Sequence, residues 1–311
     1  MTNSKAGILP LWKPRGMTSF QAVRKAGGIL KTKKAGHTGT LDPDVDGVLP
    51  ICVGRATKIV EYLTAAEKVY SGEVTMGWST ETEDASGETV DTKMPVEAFS
   101  EQEVDDMLKQ LTGEQKQIPP MYSAVKVNGK RLYEYAREGV EVTRPIRTIT
   151  VYSLERTSPV HQHDNGSVSF TFTCHCSKGT YIRTLAVTMG EKLGYPAHMS
   201  QLTRDASGSF SKEDCVTFED METYAEEQHE HMLLPIEHAF EHIPSLTVKD
   251  DDLTRILQGG ILPLPTQMNN PDIPYFVIFD PEGRMIALYK KDPKRHGMMR
   301  PEKMILTAND M

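Results

Sequence analysis

The sequence predicts an α+β fold: a sheet, helices flanking it, and a small β-rich module at the C-terminal end. Three observations carry this. Residues 68–78, 140–154 and 168–176 are rich in strand formers, and Tyr70, Val74, Met76 and Trp78 recur on one face at a period of two. Two segments have helical spacing, 100–111 and the stretch after Thr180, where Ile182, Leu185, Ala186, Met189 and Leu193 form one apolar face before Gly194. Beyond Pro244 the apolar runs become short, with strands expected over 275–279 and 285–288 around a Pro281-Glu282-Gly283 turn. The length of 311 residues suits two domains, and the expected division is 1–243 and 244–311.

In chain order, residues 9–17 read as an extended segment and a turn. Thr18 or Ser19 caps a helix carrying Ala22, Val23, Ala26 and Ile29. Val48–Val53 is a buried strand and Ala56–Leu63 a short helix. Residues 79–91 form an acidic loop. Ser100 and Glu103 make a capping box, and Gly113 closes that helix. Asn128-Gly129 predicts a tight hairpin turn, and 133–139 a short helix. Residues 198–203 form a strand, 218–240 an acidic helix, and 246–257 a strand and short helix before the Gly259-Gly260 turn.

With 38% hydrophobic and 25% charged residues, this is the composition of an ordinary globular chain. No apolar run reaches the roughly 20 residues of a membrane helix. The first residues lack a signal peptide's apolar segment, and four cysteines make no disulfide framework, so a cytoplasmic location is expected. The net charge of −8 argues against nucleic acid, but its distribution does not. Residues 1–58 hold ten Lys/Arg against three Asp, and 284–303 hold seven bases against two acids. Residues 81–114 hold eleven acids against two lysines, and 213–252 thirteen against one. Such segregation predicts a basic face opposite an acidic one.

The chain is organised around residues 36–47, Gly-His-Thr-Gly-Thr-Leu-Asp-Pro-Asp-Val-Asp-Gly. Glycines and a proline shape a loop, and Leu41 and Val45 pin it to a core. Asp42, Asp44, Asp46 and Gly47 fit positions 1, 3, 5 and 6 of a calcium loop, but the twelfth position is Val53 and not Glu. Cys174-His175-Cys176 in a strand sends His175 to the opposite face from both cysteines, which excludes a shared zinc. Neither phosphate-loop glycine pattern is present, nor a serine nucleophile elbow. A working carboxylate remains. Arg183 sits in the first turn of its helix, where the dipole disfavours a cation by about 0.3–1 kcal/mol. Either a nearby anion such as Asp42 explains it or the side chain points to solvent.

The motifs resemble those of the TruB family of tRNA pseudouridine synthases. They are Lys13-Pro14-Arg15-Gly16-Met17-Thr18-Ser19, the GHTGTLDP stretch at 36–43, Lys68-Val69-Tyr70, SAVKVNGKRLYEYAR at 123–137, Ser177–Arg183, and Leu202-Thr203-Arg204 followed by Gly208-Ser209-Phe210. The tail is similar to a PUA module. The resemblance implies a mixed, mainly antiparallel sheet of pseudouridine synthase type with a PUA-like RNA-binding domain. It implies that uridine 55 in the T loop of tRNA is flipped out and isomerised, with no cofactor, no metal and no obligatory protein partner, by a monomer. Asp42, Tyr70 and Arg183 would be catalytic. His37, Tyr70, Tyr181 and Leu202 would bind substrate, His37 by filling the space the nucleotide vacates. Lys13, Pro14 and Gly39 would support the site, and the Arg183 pair would keep Asp42 ionised. Asp46, Thr203 and Thr188 depart from the family pattern. The alternatives are a guide-RNA-dependent pseudouridine synthase and a non-catalytic tRNA-binding or folding factor.

Overall fold

Strand pairing across most of the chain builds one sheet of ten strands, and the C-terminal segment builds another of five. The computed structural model describes residues 6–224, 231–266, 270 and 273–308. The first part runs β1 (Gly7–Lys13), α1 (Ser19–Ile29), β2 (Ala35–His37), β3 (Asp46–Val53), a 3-10 helix (Gly54–Ile59) and α2 (Val60–Thr64). Then come β4 (Lys68–Met76), β5 (Trp78–Thr80), β6 (Thr89–Thr92), α3 (Glu101–Gln110) and β7 (Gly113–Gln117). Next are β8 (Lys126–Val127), β9 (Lys130–Arg131), α4 (Leu132–Arg137), β10 (Arg147–Arg156), β11 (His161–Gln162) and β12 (Val168–Cys176). They lead to α5 (Ile182–Leu193), β13 (Ala197–Ser207), β14 (Phe210–Ser211) and α6 (Phe218–Thr223). The C-terminal part holds β15 (Ser245–Thr247), α7 (Asp250–Leu257), β16 (Leu262–Pro263), β17 (Phe276–Phe279), β18 (Met285–Lys291) and β19 (Met298–Met304).

The large sheet has the order β1-β3-β13-β4-β12-β10-β7. Its pairings are antiparallel except β3 with β13, which run parallel where Asp46 and Gly47 meet Thr203 and Arg204. This contact forces an unusually close approach. A Cβ on Gly47 would lie 2.2 Å from the Arg204 carbonyl oxygen, and φ there is +123°. Only glycine accommodates both. Beside it, β13 bulges between Arg204 and Ala206 against β4, a device that re-aims side chains near a site.

Period-two alternation sorts β3 between two cores. Leu49, Ile51 and Val53 join the main core with Ala22 and Ala26 of α1 and Leu185 and Met189 of α5. Val48 and Cys52 face a second cluster containing Phe210, Val277, Met285 and Leu288. The second cluster joins the two sheets, so the C-terminal sheet is apolar-bonded to the back of β1 and β3. Tyr289, Ile256 and Phe276 form its own core.

The helix at 101–110 has the expected Ser100–Glu103 capping box, but Leu111 is its C-cap and Gly113 opens β7. That strand, Gly-Glu-Gln-Lys-Gln, pairs among the described residues only with β10, and a polar edge strand carries no apolar period. The expected strand at 140–154 begins only at Arg147, since Pro145 cannot donate to a ladder. The expected acidic loop at 79–91 is partly a hairpin of β5 and β6. The expected helix at 218–240 is another correction. Its first part, α6, ends at Thr223, residues 225–230 lie outside those described, and Leu234 exchanges backbone hydrogen bonds with Ile8 on the edge of β1. The apolar residues there bond to an open strand edge and not along a helix.

Candidate active site

The central loop is narrower than its composition suggests. Gly36 and His37 belong to β2, and Asp46 and Gly47 to β3, leaving 38–45 as the loop. The preceding turn holds it. Lys13 is fully buried, and its Nζ donates to the carbonyls of Pro14 (2.9 Å), Met17 (2.8 Å) and Pro43 (3.2 Å). Burial pulls its pKa down to about 8, although Asp46, Asp42 and Asp44 oppose the shift. Gly16 N also donates to Pro43 O (2.9 Å). Ser19 Oγ accepts from Leu41 N (2.8 Å) and donates to Leu41 O (3.1 Å). With Leu41 and Val45 buried on either side, Asp42 has little freedom.

Arg183 reaches it from the start of α5. Its Nε lies 3.0 Å from Asp42 Oδ2, and its side chain is 5% exposed. Nη1 donates to Thr82 O (2.7 Å) and lies 3.7 Å from Asp84 Oδ2, while Nη2 donates to Tyr122 O (2.9 Å). The carboxylates near the helix start are therefore Asp42 and Asp84, which face the guanidinium, and Glu83, which accepts from Thr184 Oγ1 (2.6 Å). The sequence makes Thr180 the natural cap of this helix, but it does not serve as one. The N-cap is Tyr181, whose N–H donates to Gln117 Oε1, and Thr180 Oγ1 donates to Ser177 O instead. Arg183 pulls Asp42 toward the ionised form, as expected, but burial opposes it. Burial pushes the Asp42 pKa above its ordinary value, outweighing the downward pull of Arg183, and Asp84 adds to the rise. The carboxylate is still 39% exposed, toward a cavity of about 260 Å³.

Tyr70, Tyr181, Leu202 and Gly39 line that cavity with Asp42 and Arg183. Adjacent strands bring Tyr70 and Leu202 together, since β4 pairs Tyr70 with Arg204 and Gly72 with Leu202. Burial raises the pKa of the Tyr70 phenol, and the neighbouring Arg204 guanidinium works against the rise. His37, Lys13 and Pro14 do not line the cavity. The His37 ring accepts from Gly39 N (3.3 Å), and burial followed by Arg204 lowers its pKa, favouring the neutral ring.

The other two aspartates diverge. Asp44 is exposed, while Asp46 accepts from Thr203 Oγ1 (2.7 Å) and lies 3.4 Å from Arg15 Nη2. Two positions that depart from the family pattern thus contact one another. Cys174 and Cys176 are buried, and His175 on the other face pairs with Glu67 (2.8 Å). Among the described residues no group of three His, Cys, Asp or Glu could hold a metal.

Three residues around the site escaped the sequence reading, Arg204 and Ser123 on the cavity wall and Asp84 behind Arg183. Arg204 is 1% exposed and donates from Nε to Val48 O (2.8 Å) and from Nη2 to Gly39 O (3.2 Å), tying the loop to β13. Its signal was a charged residue sharing strand parity with Leu202. Asp84 was one acid in an acidic stretch and had no distinguishing signal. Ser123 lay inside a recognised motif but had no chemistry assigned.

Residues 27–182 match the description "TruB family pseudouridylate synthase (N terminal domain)", and residues 183–241 match "tRNA pseudouridylate synthase B C-terminal domain". These matches meet at the start of α5, inside a stretch the large sheet spans without a break. The chain is 53% identical over 305 residues to tRNA pseudouridine synthase B of Halalkalibacterium halodurans, covering 98% of each. It is 50% identical over 311 residues to the protein of that name from Bacillus subtilis, covering 98% of this chain and 99% of that one. Its fold is similar to a chain in the structure of an H/ACA RNP bound to a substrate RNA containing 2'-deoxyuridine, with TM-score 0.71 and 25% identity over 96% of this chain and 85% of that one. It is likewise similar to a chain of the archaeal box H/ACA sRNP Nop10-Cbf5 complex, with TM-score 0.70 and 26% identity over 97% and 87%. With motifs, fold and full-length relatives in agreement, the chain belongs to the TruB family of pseudouridylate synthases.

Proposed function

We propose that this chain isomerises uridine to pseudouridine in tRNA, at position 55 of the T loop, acting as a cytoplasmic monomer on bare tRNA. The observation that carries the reading is the Asp42–Arg183 pair at 3.0 Å, opening on a cavity lined by Tyr70, Tyr181 and Leu202. The N1–C1′ bond breaks, the uracil turns over, and a C5–C1′ bond forms. The C5 proton leaves and N1 ends protonated, so no atom and no electron is supplied from outside and no cofactor is needed.

The target base is stacked in folded RNA, and extruding it costs a few kcal/mol. Stacking on the Tyr70 ring offsets about 1–3 kcal/mol of that. Asp42 attacks or assists at the glycosidic bond, and Arg183 holds the carboxylate in place. The raised pKa keeps the Tyr70 phenol protonated, suiting it to stacking and to relaying a proton near C5. A neutral His37 suits a wedge that fills the vacated stack. Lys13, Pro14 and Gly39 support the loop. Segment 244–311 serves as a PUA-like RNA-binding domain, and its exposed Lys294 and Arg295 suit phosphate contact.

The solved structures of similar fold favour a second reading, dependence on a guide RNA and partner proteins. Relatives near 50% identity over almost the whole chain, named tRNA pseudouridine synthase B, favour the first. Mapping pseudouridine on one tRNA transcript treated with the purified chain separates them. Product at position 55 without guide RNA supports the proposal, and strict guide dependence contradicts it.

A further inference from the structure

Five buried side-chain polar atoms among the described residues have no hydrogen-bond partner, those of Thr38, Ser123, Ser207, His238 and Arg300. Of these residues, only Ser123 lines the Asp42 cavity. It is 5% exposed. The phenol of Tyr181 stands beside its hydroxyl without meeting hydrogen-bond geometry. A hydroxyl buried without a partner costs free energy, so its persistence points to a partner that arrives later.

The backbone around Ser123 is fully committed. Its N–H donates to Met121 O (2.9 Å), and its carbonyl accepts from Tyr133 N (3.1 Å). The preceding carbonyl, of Tyr122, accepts from Arg183 Nη2 (2.9 Å). The hydroxyl is therefore fixed relative to the Asp42–Arg183 pair while remaining unpaired itself.

We propose that the Ser123 hydroxyl donates a hydrogen bond to a ring carbonyl of the flipped uracil. The inference rests on the function proposed above. Turning the ring so that C5 replaces N1 also exchanges the two ring carbonyls. A donor aimed at a carbonyl is then satisfied both before and after the rotation, so it holds the base in register for cleavage of the N1–C1′ bond and again for closure of the C5–C1′ bond. Ser123 is thus a substrate-contacting residue whose contribution lies in orienting the detached base.

The test compares Ser123→Ala and Ser123→Cys with the unaltered chain by thermal melting of the free protein, tRNA affinity and single-turnover product formation at saturating tRNA. For Ser123→Ala, the melting temperature should stay or rise, affinity should stay, and the single-turnover rate should fall about tenfold or more. Ser123→Cys, of similar size but a weaker donor, should fall between them. A Ser123→Ala rate equal to the unaltered chain's overturns the inference, as does a rate loss that follows a lowered melting temperature and is fully restored by Cys. An unaltered chain that makes no pseudouridine in tRNA overturns the function reading instead, so the two failures are distinct.

Discussion

Asp42 and Asp84 share one guanidinium, with Arg183 Nε 3.0 Å from the first and Nη1 3.7 Å from the second. The nearer pair is the proposed working contact, and the farther one tunes it. Asp84 also orders its own loop, because its Oδ1 accepts from Thr82 Oγ1 (2.7 Å) and Ser86 N (3.0 Å).

Asp84→Asn keeps an oxygen for those loop contacts and removes the charge. The negative charge of Asp84 raises the Asp42 pKa, so its loss lowers that pKa. The ionised Asp42 then persists to more acid pH, and the acid limb of the pH–rate profile moves downward. Single-turnover rates on tRNA across pH measure this. A limb that stays in place or moves upward contradicts the shared-guanidinium account.

Gly47→Ala should destabilise the chain by about 2 kcal/mol or more, since it combines a positive φ with contact against rigid backbone. Urea unfolding of the variant reads the loss as a lower midpoint with an unchanged slope. Gly16→Ala is the comparison. It too has positive φ, +80°, but a Cβ there meets nothing within 4 Å, so its cost should be smaller.

The residues that were legible in the sequence and those that were not differ in kind. Asp42 was legible because the glycines and proline around it exclude regular structure. Arg183 was legible only in part: a cation at a helix start contradicts the dipole, but a solvent-facing side chain was left open, and the family motif, not the dipole, pointed to the pair. His175 was assigned away from its flanking cysteines by period-two alternation alone. β7 was missed because its stability comes from pairing with β10, and its own residues are polar. The contact of Leu234 with β1 depends on where an unpaired strand edge lies, which only assembly decides. Arg204 and Asp84 act through partners on other strands and loops. The rise of the Asp42 pKa was missed for a further reason. The sequence names its partner but not how much water the cavity excludes.

The C-terminal sheet shares a core with β1 and β3 through Val277, Met285 and Leu288. Removing residues beyond Pro244 would therefore expose apolar surface and confuse stability with RNA binding. Substitution of the exposed Lys294 and Arg295 by Glu avoids this. The double variant should bind tRNA about tenfold more weakly, with a shallower salt dependence and an unchanged single-turnover rate at saturation. Filter binding over a salt series checks it, and unchanged affinity removes these residues from the RNA interface.

Asp42→Asn tests the central claim most directly. The amide keeps the shape of the side chain and removes its negative charge, leaving Arg183 held by Thr82 O, Tyr122 O and Asp84. Pseudouridine mapped on a single tRNA transcript, with tRNA affinity measured in parallel, should show no product at position 55 and binding within about threefold of the unaltered chain. Near-normal product formation by Asp42→Asn would contradict the account.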